Sequence, residues 1–264
     1  MISRLRAAAD KLRFCYRVAS DTASFFRIMV ETKKSRRAQP TGHNLLPERY
    51  HLTLNGRKRD VYLRTWAGDI DIFYEVFWKK VYAEPKLPMA DIYTVVDLGA
   101  NVGLASLFFS QAFPAARIYA VEPDPDNFAC LEDNLKPEIS SGRMVPLHAG
   151  IAANDGTAFI EKKEKAYNIS ISTTAKTSDI AVPILSMNTL VQEQQLTRID
   201  FLKIDIEGWE DPLLAEHTEW LQIVQHIIME CHSQAIKQRC EAVLQAHGFV
   251  TETTAHQLVR AWRE

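Results

Sequence analysis

The segment Val95-Val96-Asp97-Leu98-Gly99-Ala100-Asn101-Val102-Gly103 constrains this chain more than any other. An apolar run carrying one acidic residue is followed at once by two glycines, then by Leu104-Ala105-Ser106-Leu107-Phe108-Phe109. The run has the pattern of a strand buried on both faces, the glycines that of a tight turn, and the apolar segment that of a helix. Glycine turns the backbone sharply and leaves no side chain between it and a ligand. A second strand, Arg117-Ile118-Tyr119-Ala120-Val121, ends in Glu122-Pro123. That carboxylate arrives about one strand–helix–strand unit later, where it can accept hydrogen bonds from a ribose. An adenosine-containing ligand is therefore expected at these strand ends.

The glycine spacing narrows the ligand. A dinucleotide fingerprint needs G-x-G-x-x-G, whose later glycines make room for a pyrophosphate and for close helix packing. Here Gly99 and Gly103 are spaced G-x-x-x-G, and no G-K-[ST] follows to make a phosphate loop. Asp97 would repel a phosphate and would suit an ammonium group. S-adenosyl-L-methionine has that group and a ribose diol, and no phosphates.

The rest of the chain supplies a sheet around this unit. Strands are expected at Met144–Gly150, Ile199–Asp205, Val224–Glu230, Phe249–Thr253 and Gln257–Trp262, the last two as a closing hairpin. With the first two strands they make a seven-stranded, mostly parallel α/β sheet, doubly wound with helices on both faces. A helix is expected from Arg239 to His247, ended by Gly248. The stretch Thr157–Pro183 breaks the rhythm as two short strands around Asn168–Thr174, the candidate lid.

Upstream, Tyr50–Leu54 and Asp60–Arg64 flank Asn55-Gly56, a hairpin signal, and Asp69 can cap a helix running to about Tyr82. At the start, Leu5, Ala8, Ala9, Leu12, Cys15, Tyr16, Ala19, Phe26, Met29 and Val30 recur at helical spacing, with a break near Ser20-Asp21. Three segments follow: a basic helical extension over 1–40, a hairpin and helix preface over 45–90, and the ligand-binding domain over 91–264.

Charge separates these segments. Residues 1–40 hold ten Lys/Arg against three acidic residues, +7, so a total of −2 leaves −9 for the remainder. An acidic catalytic portion argues against a nucleic-acid footprint there. The basic extension instead offers a helix packed on the main domain, or a peripheral contact with anionic lipid or a glycolipid-making partner. No apolar stretch approaches the roughly 20 residues needed to span a bilayer, and charges interrupt any secretory signal. Four cysteines without C-x-x-C spacing fit small buried groups in a reduced, cytoplasmic setting, and no metal site is expected from them.

Taken together, Asp97 to Gly103, Glu122-Pro123, Lys203-Ile204-Asp205-Ile206-Glu207-Gly208 and Glu230-Cys231-His232 resemble the FkbM family of S-adenosylmethionine-dependent methyltransferases. The likeness runs from about Tyr50 to Phe249 and includes Arg64–Asp69; Val191 departs from it, where relatives often carry an acid. The resemblance implies a Rossmann-like class I methyltransferase fold, S-adenosyl-L-methionine as cofactor, and sugar, glycolipid or polyketide acceptors. It implies that Asp97, Gly99, Ala100, Asn101 and Gly103 contact the methionine and ribose portions, that Glu122 with Pro123 holds the ribose diol, and that backbone near Ala149 borders the adenine.

Methyl transfer to a hydroxyl needs alignment of three atoms and removal of a proton. Alignment supplies on the order of 7–11 kcal/mol at best and a general base about two to four powers of ten. Asp205 and Glu207 close one central strand, and Glu230 and His232 its neighbour, so both pairs should face one crevice. His232 is the preferred base, with Glu230 or Asp205 orienting its ring; Asp205 is the second choice. Lys203 alternates onto the face of Asp205, where a salt bridge is its ordinary role. Asp205, Glu207 and Glu230 offer an alternative, a divalent cation on the acceptor oxygen. Two other readings compete: a nucleic-acid methyltransferase, which lacks its basic surface and Asn/Asp-Pro-Pro-aromatic motif here, and a non-catalytic nucleotide-binding or membrane-associated scaffold.

Overall fold

The computed structural model describes residues 2–34, 46–83, 91–161, 170–172, 180–254 and 258–264. The chain makes two compact units, one reaching to Ala83 and the other carrying the elements from Thr94 onward.

In the first unit, helices α1 (Ile2–Val18) and α2 (Thr22–Lys34) pack on a hairpin of β1 (Glu48–Leu54) and β2 (Arg57–Leu63). The hairpin turns at Asn55 (φ 48°) and Gly56 (φ 76°), the two left-handed residues a tight hairpin turn requires. The helices break at Ser20-Asp21 as expected: Ser20 N–H donates to the His51 carbonyl, and Asp21 caps α2 through Ser24 N–H at 2.7 Å. The buried stripe differs from the expected one. Phe14, Cys15 and Val18 of α1 and Ser24 and Ile28 of α2 face inward, whereas Leu12, Tyr16, Phe26 and Val30 are exposed. Tyr74 selects this face, since its hydroxyl meets Cys15 Sγ at 3.3 Å and donates to the Ile28 carbonyl.

The expected helix from Asp69 is also altered. Helix α3 spans only Asp69–Phe73 and passes into a π-helical turn over Tyr74–Lys79. Asp69 caps nothing, because Arg64 takes its carboxylate through its backbone N–H (2.8 Å) and guanidinium (3.0 Å), both side chains being buried.

The second unit is built on a seven-stranded sheet. Its strands are β3 (Thr94–Leu98), β4 (Arg117–Val121), β5 (Met144–Leu147), β10 (Ile199–Ile204), β11 (Val224–Glu230), β12 (Val250–Thr253) and β13 (Leu258–Trp262), in the order β12-β13-β11-β10-β3-β4-β5. The five from β11 to β5 are parallel, and the closing β12–β13 hairpin runs antiparallel against β11. The order reverses between β3 and β10, which makes a crevice at their carboxyl ends. This is the Rossmann-like class I methyltransferase architecture that the sequence implies.

Strand alternation divides the core. Val96, Leu98, Tyr119, Val121, Leu202, Ile204, Ile227 and Met229 share one apolar cluster with Leu213 and Leu214 of α7 (Glu210–Ala215) and Cys240 and Leu244 of α8 (Gln234–Ala246). On the opposite face, Phe201 meets Phe109 of α4 (Leu104–Ala112) at 5.2 Å, and Phe113 at 5.7 Å. Helix α5 (Pro125–Ser140) packs beside α4. Helix α8 begins five residues before its expected start, because Ser233 Oγ accepts Ile236 N–H as a cap. All four cysteines are buried thiols.

The expected third strand divides. Beyond β5 the chain leaves the main sheet, and β6 (Gly150–Ala152) joins β7 (Gly156–Glu161), β8 (Ser170–Ser172) and β9 (Ile180–Ser186) in a separate sheet of order β6-β9-β7-β8. Helix α6 (Met187–Glu193) follows β9 and is capped by Ser186. Of the candidate lid Asn168–Thr174, only Ser170–Ser172 lies among the described residues.

Candidate active site

The glycine turn between β3 and α4 is shaped by the protein's own packing. Gly99 (φ 74°) has no room for a side chain: a β-carbon there would stand 1.8 Å from the Asp205 carbonyl oxygen. At Gly103 (φ 81°) it would stand 2.9 Å from Leu135 of α5. The glycines read as making room for a ligand are thus also demanded by neighbouring backbone and helix packing. Between them, Ala100 is buried and its N–H, like that of Gly99, donates to the Val121 carbonyl. Asn101 takes a left-handed φ of 51°, which its short side chain permits by accepting Val102 N–H at 2.7 Å.

Asp97 lies near the carboxyl end of β3. It is fully buried, with Oδ2 accepting the Ser106 hydroxyl at 2.6 Å and Oδ1 lying 3.1 Å from Lys203 Nζ. The ammonium it faces here is the chain's own. Lys203 sits directly across the β10–β3 ladder from Asp97. Its Nζ also donates to the Gly99 carbonyl at 2.7 Å and approaches Asp205 Oδ2 at 3.6 Å. Burial alone would pull this ammonium down, but the carboxylates of Asp97 and Asp205 outweigh it and hold the lysine above its ordinary value.

Glu122 stands at the end of β4, beside the turn. Its Oε2 accepts Asn101 N–H (2.8 Å), and its Oε1 accepts Asp124 N–H (2.9 Å) and Asn127 Nδ2 (3.1 Å). Burial pushes this carboxyl up to about 7 despite those donors. Two carboxylate oxygens accept about four hydrogen bonds. Oε2 with its single donor can therefore still take a hydroxyl, which fits a ribose diol. Pro123 is half-buried, its carbonyl 3.1 Å from His148 Nε2, and that imidazole stacks on Phe128 at 4.7 Å. Ala149, buried, follows at the exit from β5.

Beyond β10 and β11 the acidic cluster assembles. Glu207 takes φ 54° and Gly208 φ 93°, a reversal that carries the chain over the strand end. Glu210, wholly buried at the start of α7, closes that reversal by accepting Gly208 N–H at 3.0 Å. Its same oxygen lies 2.9 Å from His232 Nδ1. Glu210, in place of the expected Glu230 or Asp205, is thus what orients the imidazole. His232 Nε2 then faces Glu207 Oε2 at 3.4 Å and Asp205 Oδ1 at 3.9 Å.

The hydrogen bond that His232 donates to Glu210 is the main reason that the imidazole is raised to about 9, with the charges of Glu210, Glu207 and Asp205 adding to it. Burial also raises Glu207. Glu230 closes β11, where its charge supports Lys203. One donor atom each from Asp205, Glu207 and His232 falls within 4.8 Å of the others, a spacing a divalent cation can use.

Sequence reasoning brought Asp205, Glu207 and His232 together and missed Glu210. The available signal was an acidic residue in the first helical turn after the Glu207-Gly208 reversal, where a carboxylate satisfies free backbone N–H groups.

Comparison with known proteins places the chain in a family. The methyltransferase FkbM domain model matches residues 97–261. Methyltransferase sdnD of Sordaria araneosa is 28% identical over 212 residues, covering 67% of this chain and 81% of its own. The 31-O-demethyl-FK506 methyltransferase FkbM of Streptomyces tacrolimicus is 26% identical over 216 residues, covering 69% and 83%. The hexuronic acid methyltransferase AglP of Haloferax volcanii is 27% identical over 158 residues, covering 60% and 64%. With more than half of its length matched by that domain, this chain belongs to the FkbM family of methyltransferases.

Proposed function

We propose that this protein uses S-adenosyl-L-methionine to methylate a hydroxyl on a small-molecule or glycan acceptor of sugar, glycolipid or polyketide type. The observation that carries the reading is the oriented His232, locked at Nδ1 by Glu210, with Nε2 directed at Asp205 and Glu207. This cluster follows β10 and β11, of which β10 adjoins the strand that leads into the glycine turn. One relative is named for a hexuronic acid and another for the 31-O-demethyl form of FK506, which supports a sugar-type or other oxygen acceptor.

Bound in this crevice, S-adenosylmethionine supplies a methyl group already activated on a sulfonium. The chain's residues do the rest. Glu122 accepts the ribose hydroxyls, and backbone of Gly99, Ala100, Asn101 and Gly103 borders the methionine and ribose portions. Pro123 and Ala149 border the adenine side. Asp97 acts through Lys203, which pins the Gly99 carbonyl. His232 accepts the acceptor's proton at Nε2 while Glu210 stabilises the imidazolium that results.

Calorimetric titration with S-adenosylhomocysteine, for the wild type and Glu122→Ala, tests the cofactor site. Methyl transfer to a panel of uronic acids, glycolipids and polyketide alcohols tests the acceptor class. Micromolar binding lost in the folded variant, with turnover on a hydroxyl, supports the reading. Binding without turnover on any acceptor would favour a nucleotide-binding scaffold, and a folded wild type that binds nothing would sink both.

A further inference from the structure

Four exposed large apolar side chains lie on the N-terminal helix pair: Leu12 (45%) and Tyr16 (80%) on α1, Phe26 (60%) and Val30 (48%) on α2. Each pair is spaced four residues apart and forms one stripe along its helix. Neither stripe is the one that seats the helices on the hairpin. Tyr16 meets Phe25 edge to face at 6.4 Å, and Phe25 meets Phe26 at 5.3 Å, so rings join the two stripes across the pair.

The charges around this patch have one dominant sign. At about 100° per residue, Arg6, Arg13 and Arg17 form a row beside the Leu12–Tyr16 stripe, and all three are exposed. Asp10 reaches Arg13 at 3.4 Å, and Arg27 is held by Glu48 at 3.6 Å and the Arg49 carbonyl. Over residues 6–30, five basic residues stand against Asp10 and Asp21, a balance of +3. Among the described residues no helix is long and apolar enough to cross a membrane.

An apolar and aromatic stripe bordered by arginines suits the interface of an anionic bilayer. The rings settle at headgroup depth, the aliphatic groups reach the acyl boundary, and the guanidiniums meet phosphates. A second copy packed through the same patch would set one basic row against another, which like-charge repulsion opposes.

We propose that the face formed by Leu12, Tyr16, Phe26 and Val30 docks this protein onto the surface of an anionic lipid bilayer. The proposal rests on the first unit alone and is independent of the methyl-transfer reading.

The test is co-sedimentation of the full chain with phosphatidylcholine vesicles, with and without about a third phosphatidylglycerol. The variants are Tyr16→Ser with Phe26→Ser, and Arg13→Glu with Arg17→Glu. All four side chains are exposed, and unchanged S-adenosylhomocysteine binding and thermal midpoint check that the fold is kept. Binding to the anionic vesicles alone, weakened on the order of tenfold by each double variant and by added salt, supports the proposal. No binding by the wild type, equal binding to neutral vesicles, or insensitivity to both variants would overturn it. So would self-association that Tyr16→Ser with Phe26→Ser abolishes while vesicles are ignored, since the face would then belong to a second copy.

Discussion

Gly99 and Asp205 approach so closely that a single added carbon at Gly99 would stand 1.8 Å from the Asp205 carbonyl oxygen. The glycine turn and the acidic strand end are therefore one rigid construction, joined again by Lys203. Gly99→Ala adds left-handed strain at φ 74° and forces the two loops apart. Its expected cost is on the order of 3 kcal/mol from strain and overpacking. Thermal unfolding should show a midpoint lowered by several degrees. S-adenosylhomocysteine affinity should fall with it.

Glu122 gives a pH dependence with a defined sign. Its carboxyl is raised to about 7 in the folded chain. The protonated form therefore adds stability below the ordinary carboxylate range, and that contribution is lost as pH rises through about 7. Cofactor binding should run the other way, because ribose hydroxyls donate to the ionised carboxylate. Calorimetry between pH 6 and 8 should find S-adenosylhomocysteine affinity rising with pH in the wild type and flat in Glu122→Gln. The variant should bind about 10- to 100-fold more weakly, the weight of a hydrogen bond to a charged group.

The Glu210–His232 pair makes a second, separate prediction. With His232 raised to about 9, its ion pair contributes fully below about 6.5 and is lost as pH rises through about 9. If Nε2 is the proton acceptor, turnover rises with pH towards that value. Glu210→Gln removes the largest cause of the shift and should move the inflection down by one to two pH units, roughly towards the ordinary histidine value. A wild-type rate profile flat from pH 6 to 9 would transfer the role to Asp205.

Lys203 and Asp97 should behave as a coupled pair. Lys203→Met leaves a buried carboxylate without its cation, at an expected cost of about 3–5 kcal/mol. Adding Asp97→Asn to that variant should recover a large part of the loss. A chemical-denaturation double-mutant cycle measures the coupling, and additive losses would contradict the pairing.

What was legible in the sequence is what short-range chemistry specifies. Residues 95–109 announce strand, turn and helix, and Asn55-Gly56 announces its hairpin, because period and turn conformation depend on neighbours in the chain. The parallel order and the gathering of Asp205, Glu207 and His232 at one edge follow from the alternation of strands with helices.

Only the tertiary structure decided which groups pair. The β10–β3 register sets Lys203 opposite Asp97, so the acid read as a ligand contact is buried against the chain's own ammonium. The reversal at Glu207-Gly208 brings Glu210 onto His232 in preference to Glu230. In α1, two apolar stripes satisfy the same helical period, and the position of Tyr74 selects the one to bury. The sequence by itself determined the kind and order of the main-sheet strands and the turns between them, since those signals are local. Partners and buried faces were decided by register and packing between distant segments, which no local pattern encodes.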